Sequence, residues 1–146
     1  MNLAGNPAFT AYAVSLLLLS LNLLVLWAYS GGVRGKSKTT PNPEDSRNET
    51  KVADADPPEV ARVLRAHKNA MANIVPFAIL GLIYVLAGGS GTVAAVLFGI
   101  FTFARLAHSF AYLGAKQPWR SVFFGVGALT TLVLMGFIVR ALTATA

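Results

Sequence analysis

TVAAVLFGIFTFARLAHSFAYL, residues Thr92 to Leu113, decides how this chain is read. At ~1.5 Å rise per helical residue it is long enough to cross a ~30 Å hydrocarbon core, yet it carries Arg105 at its centre. An ionised side chain at bilayer depth costs from roughly 2.5 to well over 10 kcal/mol, so Arg105 needs a compensating partner. All six acidic residues of the chain fall between Glu44 and Glu59, outside every apolar stretch, and the expected partner is therefore an anionic ligand. Arg105, His108 and Tyr112 stand at i, i+3 and i+7, which lines all three along one helical stripe. By themselves His108 and Tyr112 could satisfy each other or a neighbouring carbonyl; an unpaired Arg beside them favours a ligand pocket.

Three further stretches are candidate spans: Thr10 to Tyr29, Ala72 to Ala87, and Ser121 to Leu142. With 55% apolar and 12% charged residues, the chain is too apolar for a soluble domain of 146 residues. The expected fold is all-α, a single four-helix transmembrane bundle over residues 1–146. The first span is read as retained rather than as a secretory signal, because no Lys or Arg precedes it and Asn22 interrupts a long apolar run. Arg34, Lys36, Lys38, Arg47 and Lys51 in the first connection, and Lys116 and Arg120 in the third, contrast with the uncharged Gly88–Gly91 turn. That asymmetry predicts cytoplasmic loops at about 31–56 and 114–120 and non-cytoplasmic termini.

The segment Gly31 to Asp56 is polar and reads as the long loop. Asp56, Pro57 and Glu59 look like a helix start capped by the Asp carboxylate, so the second helix is expected from about Pro57 to Ala87, with Pro76 inside it. Gly88-Gly89-Ser90-Gly91 makes a tight turn to the third helix, which ends near Gly114, and Pro118 leads into the fourth. Gly125, Gly127 and Ala128 predict close packing between helices or subunits.

Arg65, Asn69 and Asn73 form a second polar stripe at spacings of four; Arg65 and Lys68 could equally snorkel to lipid phosphates, and His67 is read as structural. Arg120 and Ser121 fall in the expected first turn of the last helix, where free N–H groups and the helix dipole favour a thiolate or carboxylate. The plainer reading of Arg120 is a cytoplasmic anchor. The chain has no cysteine, so any thiol chemistry has to be imported. Two histidines and loop-confined acids offer no metal site and no Ser-His-Asp set. A proton-coupled four-span carrier is ranked low, since no span contains an acid.

Val33-Arg34, Asn42-Pro43-Glu44-Asp45, Leu64-Arg65-Ala66-His67-Lys68-Asn69, Pro76-Phe77, Arg105-Leu106-Ala107-His108, Ala111-Tyr112-Leu113-Gly114 and Arg120-Ser121 occur in the order and near the spacing of one family. The chain resembles the membrane-associated proteins in eicosanoid and glutathione metabolism. The resemblance implies a homotrimer of four-helix subunits that binds glutathione between neighbours near the cytoplasmic side and takes a lipophilic substrate from the bilayer. It implies glutathione contacts at Arg34, Lys68, Asn69, His108, Tyr112, Arg120 and Ser121, with Arg65 and Arg105 as supporting polar residues. Arg120 would stabilise the thiolate, and Ser121 and Asp45 would assist the chemistry.

This chain departs from the family pattern in having Ala72 where a Glu is usual, three residues after Asn69, and Phe124 where a close relative has a Tyr near the sulfur. The stretch between Tyr112 and Arg120 is one residue shorter, and Asn73 is the candidate to replace the lost carboxylate's contact. Two functional expectations result. The first is a glutathione-dependent transferase, isomerase or peroxidase acting on a lipophilic electrophile or lipid peroxide. The second is a non-catalytic lipid-binding or scaffold protein of the same fold.

Overall fold

A computed structural model describes residues 3, 5–46 and 50–143, so Arg47, used above for orientation, lies outside the described residues. The first helix, α1 (Pro7–Ser37), starts where the Asn6 side chain accepts from the backbone N–H groups of Ala8 and Phe9 at 2.9 and 3.4 Å, with Pro7 at the first helical position. Its 31 residues give a rod of about 46 Å at ~1.5 Å per residue, longer than the ~30 Å hydrocarbon core. The polar loop therefore begins later than the sequence suggested. Helix continues through Gly31 and Gly32, carries Arg34 and Lys36 in its last turns, and stops at Lys38 in a left-handed conformation.

Beyond α1, in the connection to the next helix, β1 (Thr39–Thr40) pairs in parallel with β2 (Lys51–Val52), with a 3-10 turn at Pro43–Asp45 between them. The next helix, α2 (Pro58–Leu86), follows and runs unbroken through Pro76. Asp56 does not cap it. Pro57 occupies the cap position without a side-chain hydrogen bond, and Asp56 Oδ1 instead meets Arg34 Nη2 at 2.7 Å, tying the end of α1 to the start of α2. A charge-assisted contact satisfies that carboxylate better than neutral N–H groups would.

Gly88, at φ 75°, turns the chain from α2 into α3 (Gly91–Leu113). Another left-handed residue, Ala115, follows α3, and α4 (Trp119–Thr143) begins directly after Pro118. All four helices are long and apolar enough to cross a membrane. Their shared core is aromatic: Phe77 stacks on Phe101 with centroids 3.6 Å apart, Phe98 meets Phe77, Tyr12 and Tyr84 edge-on, and the Tyr12 hydroxyl donates to the Ala78 carbonyl. One polar chain crosses this core. Asn22 Nδ2 donates to Ser109 Oγ at 3.1 Å, and Ser109 donates back to the Arg105 carbonyl, so the residue that interrupts the first apolar run links α1 to α3 beside the charged stripe.

Candidate active site

Arg105 is 1% exposed, and its partners come from the protein. Nη2 donates to the carbonyls of Phe123 and Phe124 at 3.0 and 3.3 Å, and the guanidinium carbon lies 5.7 and 5.6 Å from the ring centroids of Phe101 and Phe124. A carbonyl already engaged in its helix retains a second lone pair, which is how α4 can hold a cation without a carboxylate. Gly127 makes the room, since a Cβ there would lie 2.5 Å from Nη2. Two backbone carbonyls of α4 thus meet part of the need that the sequence assigned to an anionic ligand. Its Nε and Nη1 have no hydrogen-bond partner among the described residues.

The rest of the stripe faces a cavity of about 290 Å³ lined by Asn69 from α2, His108 and Tyr112 from α3, and Arg120, Ser121 and Phe124 from α4. This is near the lower end of the ~300–1,000 Å³ usual for small-molecule sites. His108 is buried and meets the Tyr112 ring edge-on at 5.6 Å, with Phe124 at 6.2 Å on another side. The Arg120 guanidinium lies 4.9 Å over the Tyr112 ring, a geometry in which the ring face holds the cation at the cavity wall. Asn69 Oδ1 is buried without a partner among the described residues. A larger cavity, about 610 Å³, lies at the opposite end of the bundle between the starts of α1 and α3, but its lining holds no ionisable side chain.

Sequence reasoning gave the first turn of α4 free N–H groups for an anion. Three of them are engaged: Arg120 N–H donates to the Lys116 carbonyl, and those of Ser121 and Val122 donate to Pro118. At Arg120 and Ser121, the groups left for an anion are therefore the side chains. The sequence-derived candidates divide accordingly, with Asn69, His108, Tyr112, Arg120 and Ser121 lining the cavity and Arg105 packed beneath Phe124. Arg34 is held by Asp56, Arg65 and Lys68 are exposed, and Asp45 is exposed in the 3-10 turn, where it accepts from Asn42 Nδ2 at 3.0 Å. None of these four lines the cavity. Asn73 lies off this cavity: its amide nitrogen donates to the Asn69 backbone carbonyl at 2.8 Å, and Ala72 and Asn73 line a separate groove with Pro76, Ala128, Thr131 and Leu132.

Gln117 was missed. It stands three residues before Arg120 and four before Ser121, a spacing at which side chains meet around a helix start, and that was the available signal.

Four membrane-length helices around a buried cationic stripe define an integral, multi-pass membrane protein with a polar cavity at one end of its bundle. The MAPEG family model matches residues 11–140, and the chain belongs to this family, the membrane-associated proteins in eicosanoid and glutathione metabolism. It is similar to prostaglandin E synthase of Homo sapiens, 37% identical over 127 residues that cover 86% of this chain and 84% of the relative. It is also similar to microsomal glutathione S-transferase 1 of Rattus norvegicus, 39% identical over 132 residues, covering 86% and 83%.

Proposed function

We propose that this protein is a glutathione-dependent membrane enzyme that conjugates the thiol to a lipophilic electrophile, or uses it to isomerise or reduce a lipid peroxide. The observation that carries this reading is the convergence of Arg120, Ser121, His108, Tyr112 and Asn69 on one cavity in a chain that has no thiol of its own. Relatives named for glutathione transfer and for prostaglandin E synthesis support it.

Those residues fit a small peptide anion. Arg120 offers a fixed positive charge, Ser121 a hydroxyl, and Asn69 a buried side-chain amide oxygen that lacks a donor among the described residues, which an amide N–H of a peptide could supply. When bound, glutathione would supply a nucleophilic sulfur. Arg120 favours its thiolate by direct charge attraction, and Ser121 adds a hydrogen bond to the same anion. His108 and Tyr112 hold the peptide against α3, so the protein's contribution is position and charge.

The proposed assembly is a homotrimer with its cavities toward the cytoplasmic side, and a neighbour's Arg34, Arg65, Lys68 and Asp45 are the candidates to complete each site. Two features support it: those side chains do not line the cavity of their own subunit, and the Ser121 and Phe124 wall is exposed. The lipophilic substrate would enter from the bilayer over the same wall. Arg120→Ala tests the chemistry: turnover should fall about 100-fold while glutathione affinity changes less than about fivefold. Unchanged turnover removes Arg120 from the reaction.

A further inference from the structure

An arginine side chain has donors and no acceptor, so what lies against Arg120 decides where its charge points. Beside it is the Gln117 amide, whose two ends are interchangeable in outline and distinguished by their hydrogen bonds. With the nitrogen toward Arg120, Ser121 Oγ donates to Gln117 Oε1 at 3.2 Å, but the amide N–H₂ then faces a guanidinium, donor against donor. Turned over, the amide oxygen accepts from Arg120 Nη2 at 2.8 Å and Nε at 3.3 Å, and the nitrogen donates to Ser121 Oγ at 3.2 Å. The second arrangement satisfies both ends of the amide.

We propose that Gln117 is a positioning residue for the anion-binding pair Arg120 and Ser121. Its amide oxygen holds the Nε–Nη2 edge of the guanidinium while the Tyr112 ring supports its face at 4.9 Å, which leaves Nη1 free for an anion. Its amide nitrogen occupies a lone pair of Ser121 Oγ, so the Ser121 hydroxyl proton is free to be donated into the cavity rather than spent on Gln117. The identity of the anion rests on the glutathione reading above. The contact between Gln117 and Arg120 does not.

Two variants separate positioning from mere loop stability. Gln117→Glu keeps an acceptor against Arg120 but neutralises its charge and removes the donor to Ser121, whereas Gln117→Ala releases Arg120 and leaves its charge intact. Positioning predicts that Gln117→Ala lowers kcat about tenfold with glutathione Kd changed less than about twofold, and that Gln117→Glu lowers kcat further and diminishes the ultraviolet absorbance of bound thiolate. A structural linker would rank the two in reverse, and that ranking, or wild-type kcat in either variant, overturns the proposal. A ligand-free measurement stands beside it: the ¹⁵N-labelled Arg120 Nε–H, assigned by its loss in Arg120→Lys, should exchange slowly in the wild type and in Ser121→Ala but rapidly in Gln117→Ala. Equal exchange in all three overturns the contact itself. A slow wild-type signal in a protein that binds no glutathione would overturn the functional reading and the thiolate half of this proposal, while the contact stands.

Discussion

At the scale of single residues, the apolar stretch around Arg105 announces a compensated charge, and the sequence makes that legible because a lone cation among apolar residues is expensive. What compensates it was not legible. Backbone carbonyls leave no trace in residue types, so the acceptors at Phe123 and Phe124 emerge only when α4 is laid against α3. The trace that does exist is Gly127, whose missing Cβ is the space the guanidinium fills. Gly127→Ala should accordingly lower stability by about 1–3 kcal/mol, read as a drop in the thermal midpoint in detergent. Gly125→Ala is the control, because nothing lies within 4 Å of a Cβ at that position. Equal midpoints for the two variants would mean that Arg105 is not seated as described.

At the scale of elements, α2 and the α3–α4 junction fall where the sequence places them, and the end of α1 does not. Hydrophobic length finds a span, but a helix ends where capping and ion pairing end it, and Arg34 and Asp56 are too far apart in sequence to be matched by local spacing. Hence α1 outruns its apolar stretch to Ser37, and the cap assigned to Asp56 is replaced by a pair with Arg34. Both partners are 28% exposed, so solvent screens the pair and it contributes at most ~1 kcal/mol. Asp56→Asn should therefore reduce stability by no more than that amount, with a difference from wild type that shrinks as salt rises. A loss that is independent of salt would point to a capping role for Asp56 after all. The α4 entry carries the same lesson: Pro118 correctly marks the helix start, while its carbonyl and that of Lys116 take up the N–H groups that dipole reasoning left for a ligand.

For the whole molecule, the outward faces of the helices expose Leu17, Leu21, Leu24, Ile79, Phe103 and Leu129, as lipid or a second copy of the chain requires. Separately, Arg34, Arg65, Lys68 and Asp45 stay off the cavity that the other candidates build. Sequence resemblance groups all of these residues because matched residue types carry no information on which side chains share one cavity. The proposed assembly makes native mass spectrometry from nanodiscs informative: trimers are expected, and a persistent monomer that still turns over would require one subunit to form the site alone. The central claim is that the Arg120 cavity holds glutathione, and calorimetric titration of glutathione into the purified protein in nanodiscs tests it most directly. The account predicts saturable binding that also raises the thermal midpoint and is weakened in His108→Ala; absence of both heat and thermal stabilisation at millimolar glutathione would contradict it.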